Sequence, residues 1–124
     1  MSTARSRISK GRAFQKSIML LIKQYFNLDD DDLRNPVGAE NGPDVILNNK
    51  KTRDLVGLTI ECKNQKSLSI WSALEQTKDN QKKYYPDTTP ALIFHRSQMG
   101  NRDVWITVPL THYLELRQKI DVDC

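Results

Sequence analysis

Asp44, Glu61 and Lys63 are the residues whose types and spacing could do chemistry. Asp44 opens a short apolar run, Gly42-Pro43-Asp44-Val45-Ile46-Leu47, while Glu61 and Lys63 close a second, from Leu55 to Gln65. The polar stretch Asn48 to Asp54 between them reads as the long turn of a β-hairpin. In an antiparallel pair the start of one strand lies beside the end of the next, so the three charges are expected to converge at one end of that hairpin. Strand period two puts Glu61 and Lys63 on one face and Ile60 and Cys62 on the other. Two carboxylates of this kind can hold a magnesium ion, with waters and a phosphate completing its octahedron, which is the equipment phosphodiester hydrolysis needs. The backbone carbonyl of Cys62 could add a third oxygen while its thiol faces the core. Lys63 could orient the attacking water or stabilise charge on the phosphate. No His or Cys cluster has zinc spacing, and His95 and His112 lie far apart in the chain.

The elements that must position these groups follow from periodicity. From about Ser9 to Phe26, Phe14, Ile18, Leu21, Ile22 and Tyr25 recur at three- and four-residue steps, predicting a helix with Ser9 as N-cap and Gln15 on the flank of its buried stripe. Asn27 to Asn41 lacks clean periodicity and reads as an irregular connection with a short edge strand near Leu33; its run Asp29 to Asp32 reads as a solvated loop. A second helix is predicted over Ser69 to Lys83, with Ile70, Trp71 and Leu74 toward the core. Its row of Ser69, Ala73, Gln76 and Asn80 is turned toward a hydrated site. Pro86 ends that helix. Ala91 to Arg96 and Asp103 to Val108 read as strands around a turn at Gly100-Asn101. Thr111 caps a last helix carrying Tyr113, Leu114, Leu116 and Ile120. The order helix, hairpin, helix, hairpin, helix predicts a small α/β domain, a mixed sheet flanked by helices.

The totals narrow the class. The 124 residues are enough for one domain: a basic arm over 1–8, a single domain over 9–120 and a tail over 121–124. A hydrophobic fraction of 38% against 27% charged excludes a disordered chain. The excess of 19 Lys and Arg over 15 Asp and Glu, a net charge of +4, favours a polyanionic partner. Arg5, Arg7, Lys10, Arg12 and Lys16 crowd the amino end as a phosphate-binding arm, and Arg96 could reach a phosphate from a strand end. Trp71 and Trp105 read as core residues, whereas Tyr84 and Tyr85, beside lysines, are the candidates for stacking on bases. Two cysteines, Cys62 and Cys124, are too few for a disulfide scaffold and predict reduced thiols in a cytoplasmic compartment. No apolar run reaches membrane-spanning length, and no signal peptide is evident.

The run Gly42-Pro43-Asp44, followed seventeen and nineteen residues after Asp44 by Glu61 and Lys63 of Ile60-Glu61-Cys62-Lys63, resembles the PD-(D/E)XK, restriction-endonuclease-like nuclease superfamily. Within it the chain looks most like small bacteriophage and prophage proteins grouped with Holliday-junction resolvases. The resemblance spans roughly residues 9–117. It is carried also by Gly38 to Asp44, by Glu61-Cys62-Lys63-Asn64-Gln65 with Ile70 to Gln76, and by Pro90 to Arg96. It implies a restriction-endonuclease-like core and an endodeoxyribonuclease acting on branched or structured DNA. Asp44 and Glu61 would bind Mg2+, for which Mn2+ should substitute; Lys63 would be catalytic and Gln76 would support the site. Many resolvase-like members carry a glutamate on the first helix where this chain offers Gln15, a neutral amide, which favours one well-bound ion. The implied setting is the cytoplasm of a bacterial or phage-infected cell. A substrate with two-fold symmetry calls for a homodimer, although no stretch of the chain announces a dimer surface. The alternative is a nucleic-acid-binding module of the same fold with little or no cleavage activity.

Overall fold

The computed structural model describes residues 4–96 and 103–120, with side chains from Ile8 onward. It is α/β, with four helices, a three-stranded mixed sheet and a small two-stranded antiparallel sheet. The chain runs α1 (Ala4–Phe26), β1 (Leu33–Arg34), β2 (Ile46–Leu47), α2 (Lys50–Val56), β3 (Leu58–Asn64), α3 (Ile70–Tyr84), β4 (Thr89–His95), β5 (Val104–Thr107) and α4 (Leu110–Lys119). The main sheet has the order β3-β4-β5, β3 parallel to β4 and β4 antiparallel to β5. The expected hairpin of β4 and β5 is present, and the short strand near Leu33 is β1, paired with β2.

The first expected hairpin is not. The stretch read as its turn is α2, and β2 pairs with β1 rather than with β3. Local chemistry explains the difference. The Asn49 side chain accepts the Thr52 N–H and hydroxyl, each at 2.8 Å, which caps a helix start. Gly57, at φ 70°, takes the left-handed conformation that ends the helix, and its N–H reaches the Arg53 carbonyl at 2.7 Å.

The register of β3 on β4 sorts the sheet into two faces. Ile60, Cys62 and Asn64 share one face with Ala91, Ile93 and His95, and α1 covers it with Phe14, Ile18 and Met19. Leu33, Val45 and Leu47 complete that core. Thr59, Glu61 and Lys63 share the other face with Pro90, Leu92 and Phe94, which α3 covers with Ala73 and Thr77.

Three further expectations are corrected. α1 begins at Ala4, so residues 4–8, expected as a flexible basic arm, are helical and Ser9 lies inside the helix and is not a cap; nothing from Ala4 to Ser9 breaks a helix. Tyr25 and Leu21 are exposed although they fall on the predicted stripe, because the sheet beneath α1 is narrow and Phe14, Ile18 and Met19 fill the contact. Trp71 and Trp105 are 77% and 62% exposed, not core, because α3 seats its small residues on the sheet and β5 lies at the sheet edge. Cys62 is a free, buried thiol; Cys124 and the Gly100-Asn101 turn lie outside the described residues. No helix among the described residues is long and apolar enough to cross a membrane.

Candidate metal and phosphate site

Asp44 reaches β3 without a hairpin. Its backbone N–H donates to the Ile60 carbonyl at 2.9 Å, and its carboxylate Oδ2 accepts the Cys62 N–H at 2.7 Å. These two bonds hold the Asp44 segment against the middle of the strand, between Ile60 and Lys63. Asn35 fixes the same segment from outside: its side-chain amide donates to the carbonyls of Asp44 and Gln15, both at 3.1 Å, tying α1 to the acid. No sequence pattern points to Asn35, since it acts through main-chain groups distant in the chain.

Glu61 lies on the face under α3 and is 4% exposed, with Asn80 Nδ2 donating to its Oε2 at 3.0 Å. Burial first and the neighbouring Asp44 charge second raise the Glu61 carboxyl to about 7, against the Asn80 bond and the Lys63 charge, which pull it down. Burial also raises Asp44, against the Cys62 N–H and the Lys63 charge, which favour its ionised form. Lys63 is half-buried on the Glu61 face and near enough to both acids to act on each. The Cys62 thiol is raised well above its ordinary value by burial and then by the two acids, so it stays protonated and faces the core. Each acid ties one carboxylate oxygen to the protein. Among the described residues no buried side-chain polar atom lacks a partner, so the other oxygens, Asp44 Oδ1 and Glu61 Oε1, reach solvent.

Of the helix residues expected to assist, Gln15 shares a cleft with Asp44, and Gln76 makes no hydrogen bond to either acid. Gln15 lines a cleft of ≈ 420 Å³ that includes Asp44, Arg12, Gly11 and Glu40. Gln76 is exposed and makes no hydrogen bond to the acids; the polar row of α3 meets the site one turn later, through Asn80. Glu40, a third acid at the rim, is occupied: Arg34 grips both its oxygens at 2.8 Å and the Val37 N–H bonds Oε1, holding its carboxyl down at about 2. Gly42, at φ 121° and packed against the Tyr84 ring, carries the chain into Pro43 and Asp44.

The basic residues divide. Arg12 joins the Asp44 cleft, Lys10 lines a groove of ≈ 500 Å³ with Asn64 and His95, and Arg96 lines a third hollow, of ≈ 280 Å³, with Lys66. Lys16 is exposed on α1, and the side chains of Arg5 and Arg7 lie outside the described residues. Tyr85 is committed to structure, its hydroxyl accepting the Leu47 N–H at 3.1 Å with the Arg53 guanidinium over its ring; Tyr84 lies under Lys83.

Among the described residues there is no group of three or more His, Cys, Asp and Glu that could hold a metal. What the fold offers a cation is two adjacent acids, each with one solvent-facing oxygen, and the Cys62 carbonyl of the residue between Glu61 and Lys63. That donor set is hard and oxygen-only, which fits magnesium bound largely through water and substrate phosphate, and does not fit zinc. Compared with protein-family models, curated proteins and solved structures, the chain matches none.

Proposed function

We propose that this chain is a Mg2+-dependent DNA endonuclease that hydrolyses phosphodiester bonds in branched or structured DNA, as its resemblance to PD-(D/E)XK nucleases implies. The observation that supports the reading best is the pairing of Asp44 and Glu61 across the Cys62 backbone with Lys63 beside them. A buried Glu61 whose proton affinity is raised by burial and by the neighbouring Asp44 charge is costly for a fold, and a divalent cation is a partner that offsets the cost. When bound, magnesium would supply charge neutralisation at the phosphate and a more acidic water.

The chain's own residues then have separate tasks. Asp44 and Glu61 present the oxygen ligands, Asn80 orients Glu61 and Asn35 holds the Asp44 segment. The Lys63 ammonium stabilises charge on the phosphate or orients the attacking water. Gln15 can hydrogen-bond a water in the Asp44 cleft, and Arg12, on the same side, offers a phosphate contact. The two-acid count favours a second reading, a DNA-binding module that cleaves poorly.

The test is to offer duplex, nicked, flapped, four-way-junction and single-stranded DNA with Mg2+ to wild type and Lys63→Ala. Cleavage of branched forms that Lys63→Ala abolishes, with DNA binding retained, supports the enzyme. Binding without cleavage of any substrate supports the module. Cleavage by Lys63→Ala at the wild-type rate sinks the assigned site.

A further inference from the structure

We propose that the exposed indoles of Trp71 and Trp105, with Lys66, Arg96 and Lys78 around them, form a track for a single-stranded segment of DNA whose bases stack on the two rings. The inference rests on the nuclease reading for its partner and deepens it. The branched DNA this chain takes is then one that offers unpaired nucleotides beside the scissile strand, such as a flap or a splayed arm.

Both tryptophans of the chain are mostly exposed, against the ordinary tendency of so large an apolar ring. The topology puts them on one face. Trp105 pairs with Phe94, which shares the α3 side of the sheet with Glu61 and Lys63. Trp71 stands in the first turn of α3, the helix over that same side. A hollow of ≈ 350 Å³ links the two elements, lined by Trp71, Leu74 and Lys78 of α3, Pro90 of β4 and Thr107 of β5. Thr107 and Trp105 lie on the same side of β5, two residues or about 7 Å apart along the strand. The Trp105 indole N–H donates to Asp103 at 2.7 Å, which fixes the ring by its edge and occupies neither face.

The cations bracket the rings. At one end Lys66 and Arg96 line the hollow of ≈ 280 Å³ with Ile70 and Phe94, and no acid is among the described residues that line it. Two like charges around one small hollow repel, and a phosphate offsets that repulsion. At the other end is Lys78, held by an exposed ion pair to Glu75 at 3.3 Å, a contact weak enough to be exchanged for phosphate. Ile70 of the first hollow and Trp71 of the second are consecutive, and Trp105 is paired with Phe94 of the first. The order along the face is therefore cation pair, indoles, cation. Phe94 is also the register partner of Lys63. The track thus starts one strand spacing, about 4.8 Å, from the lysine assigned to the phosphate.

Aromatic platforms between cations are how sequence-tolerant single-strand sites work: the cations follow the backbone, and every base has a π-face to lay on a ring. A duplex keeps its bases stacked inside and gives the indoles nothing to stack on. The hollow beside Trp71 is at the small end of the roughly 300–1,000 Å³ range of small-ligand clefts, which is room for a base.

A fluorescein-labelled oligothymidylate of about 12 nucleotides, titrated with the full chain in EDTA so that nothing is cut, tests this by anisotropy, with indole fluorescence read in parallel. Binding with quenching of the indoles is expected. Trp71→Ala and Trp105→Ala should each weaken it by about 5- to 150-fold, the loss of one stacked base, and Trp71→Phe should recover most of it. A duplex of the same length, bound through its phosphates, should lose less than about twofold in either variant. Tyr25→Ala, at an exposed aromatic on α1, should leave both affinities unchanged. Lys66→Ala and Arg96→Ala should each flatten the salt dependence of single-strand binding by about 0.7 in log–log slope. If Trp105→Ala misfolds by circular dichroism, Trp71→Ala on the helix surface gives the reading. Absent single-strand binding, an affinity that survives both alanines, or a loss equal on duplex would overturn the proposal. So would indole fluorescence that responds to protein concentration and not to DNA, which would give the face to another copy of the chain. Binding that the alanines weaken in a chain that cuts no DNA would end the nuclease reading and leave the track standing. Cleavage of branched DNA by a chain whose single-strand affinity is indifferent to both alanines would do the reverse.

Discussion

The Asp44 carboxylate accepts the backbone N–H of Cys62 at 2.7 Å, so one acid of the candidate site is held by the strand that carries the other. Because that bond runs to main chain, no substitution at Cys62 other than proline can remove it directly. The geometry of the pair therefore depends on Asp44 itself and on the contacts that keep its segment in place.

Replacing Asp44 by alanine should leave the half-buried Cys62 N–H without its partner and destabilise the fold by about 1–3 kcal/mol, the cost of an orphaned donor. Removing one of two like charges works in the opposite direction, so the net loss should sit at the low end. Asp44→Asn keeps an acceptor for the N–H and removes the charge, and should be at least as stable as wild type. Urea denaturation of the three proteins in EDTA checks the order, and Mg2+ titration calorimetry should find weakened binding in both variants.

The raised Glu61 gives a pH dependence of definite sign. Its folded value of about 7 lies above its ordinary 4.5, so folding favours the protonated form. The associated stability is present below 4.5 and is lost as pH rises through 7, by on the order of 3 kcal/mol. Asp44, raised as well, acts in the same direction. Glu40, held at about 2 by Arg34, acts oppositely, contributing above 4.5 and losing that contribution as pH falls through 2. The metal-free protein should therefore have a higher urea midpoint at pH 5 than at pH 8. Glu61→Gln should flatten the difference, and Mg2+ should narrow it by stabilising the protein at pH 8. A metal-free midpoint that rises from pH 5 to pH 8 would contradict the assignment.

Asn80 should tune Glu61 without touching substrate. Its amide favours the ionised carboxylate, so Asn80→Ala should raise the Glu61 pKa further and move the alkaline-rising limb of any Mg2+-dependent activity to higher pH. Mg2+ affinity should fall most near neutrality and recover at higher pH. Gln76 makes no hydrogen bond to either acid, so Gln76→Ala should leave the profile where it is.

The helix that replaces the expected turn should be sensitive at its two ends. Asn49→Ala removes an acceptor used twice and should cost about 1–2 kcal/mol. Gly57→Ala forces a Cβ into the left-handed conformation and should cost about 1 kcal/mol, although no atom crowds the position. Thermal melts of the single and double variants would show near-additive losses, since the Asn49 side chain and Gly57 share no side-chain partner.

Sequence by itself determined the class of fold and the approximate place of β3, β4, β5 and the long helices, and it offered the two acids and the lysine as candidates. Those are properties of periodicity and residue type, which act over a few neighbours in the chain. Tertiary structure decided how the acids meet. Asp44 was expected at the end of a hairpin and instead docks beside β3 through its own N–H and carboxylate, because Asn49 and Gly57 turn the connection into a helix. It also exchanged Gln76 for Asn80, one turn apart on the same polar row, a choice set by how deeply α3 seats Ala73 and Thr77 on the sheet. Trp71 and Trp105 were legible as apolar but not as exposed, since hydrophobicity is written in a residue and burial is written in its neighbours.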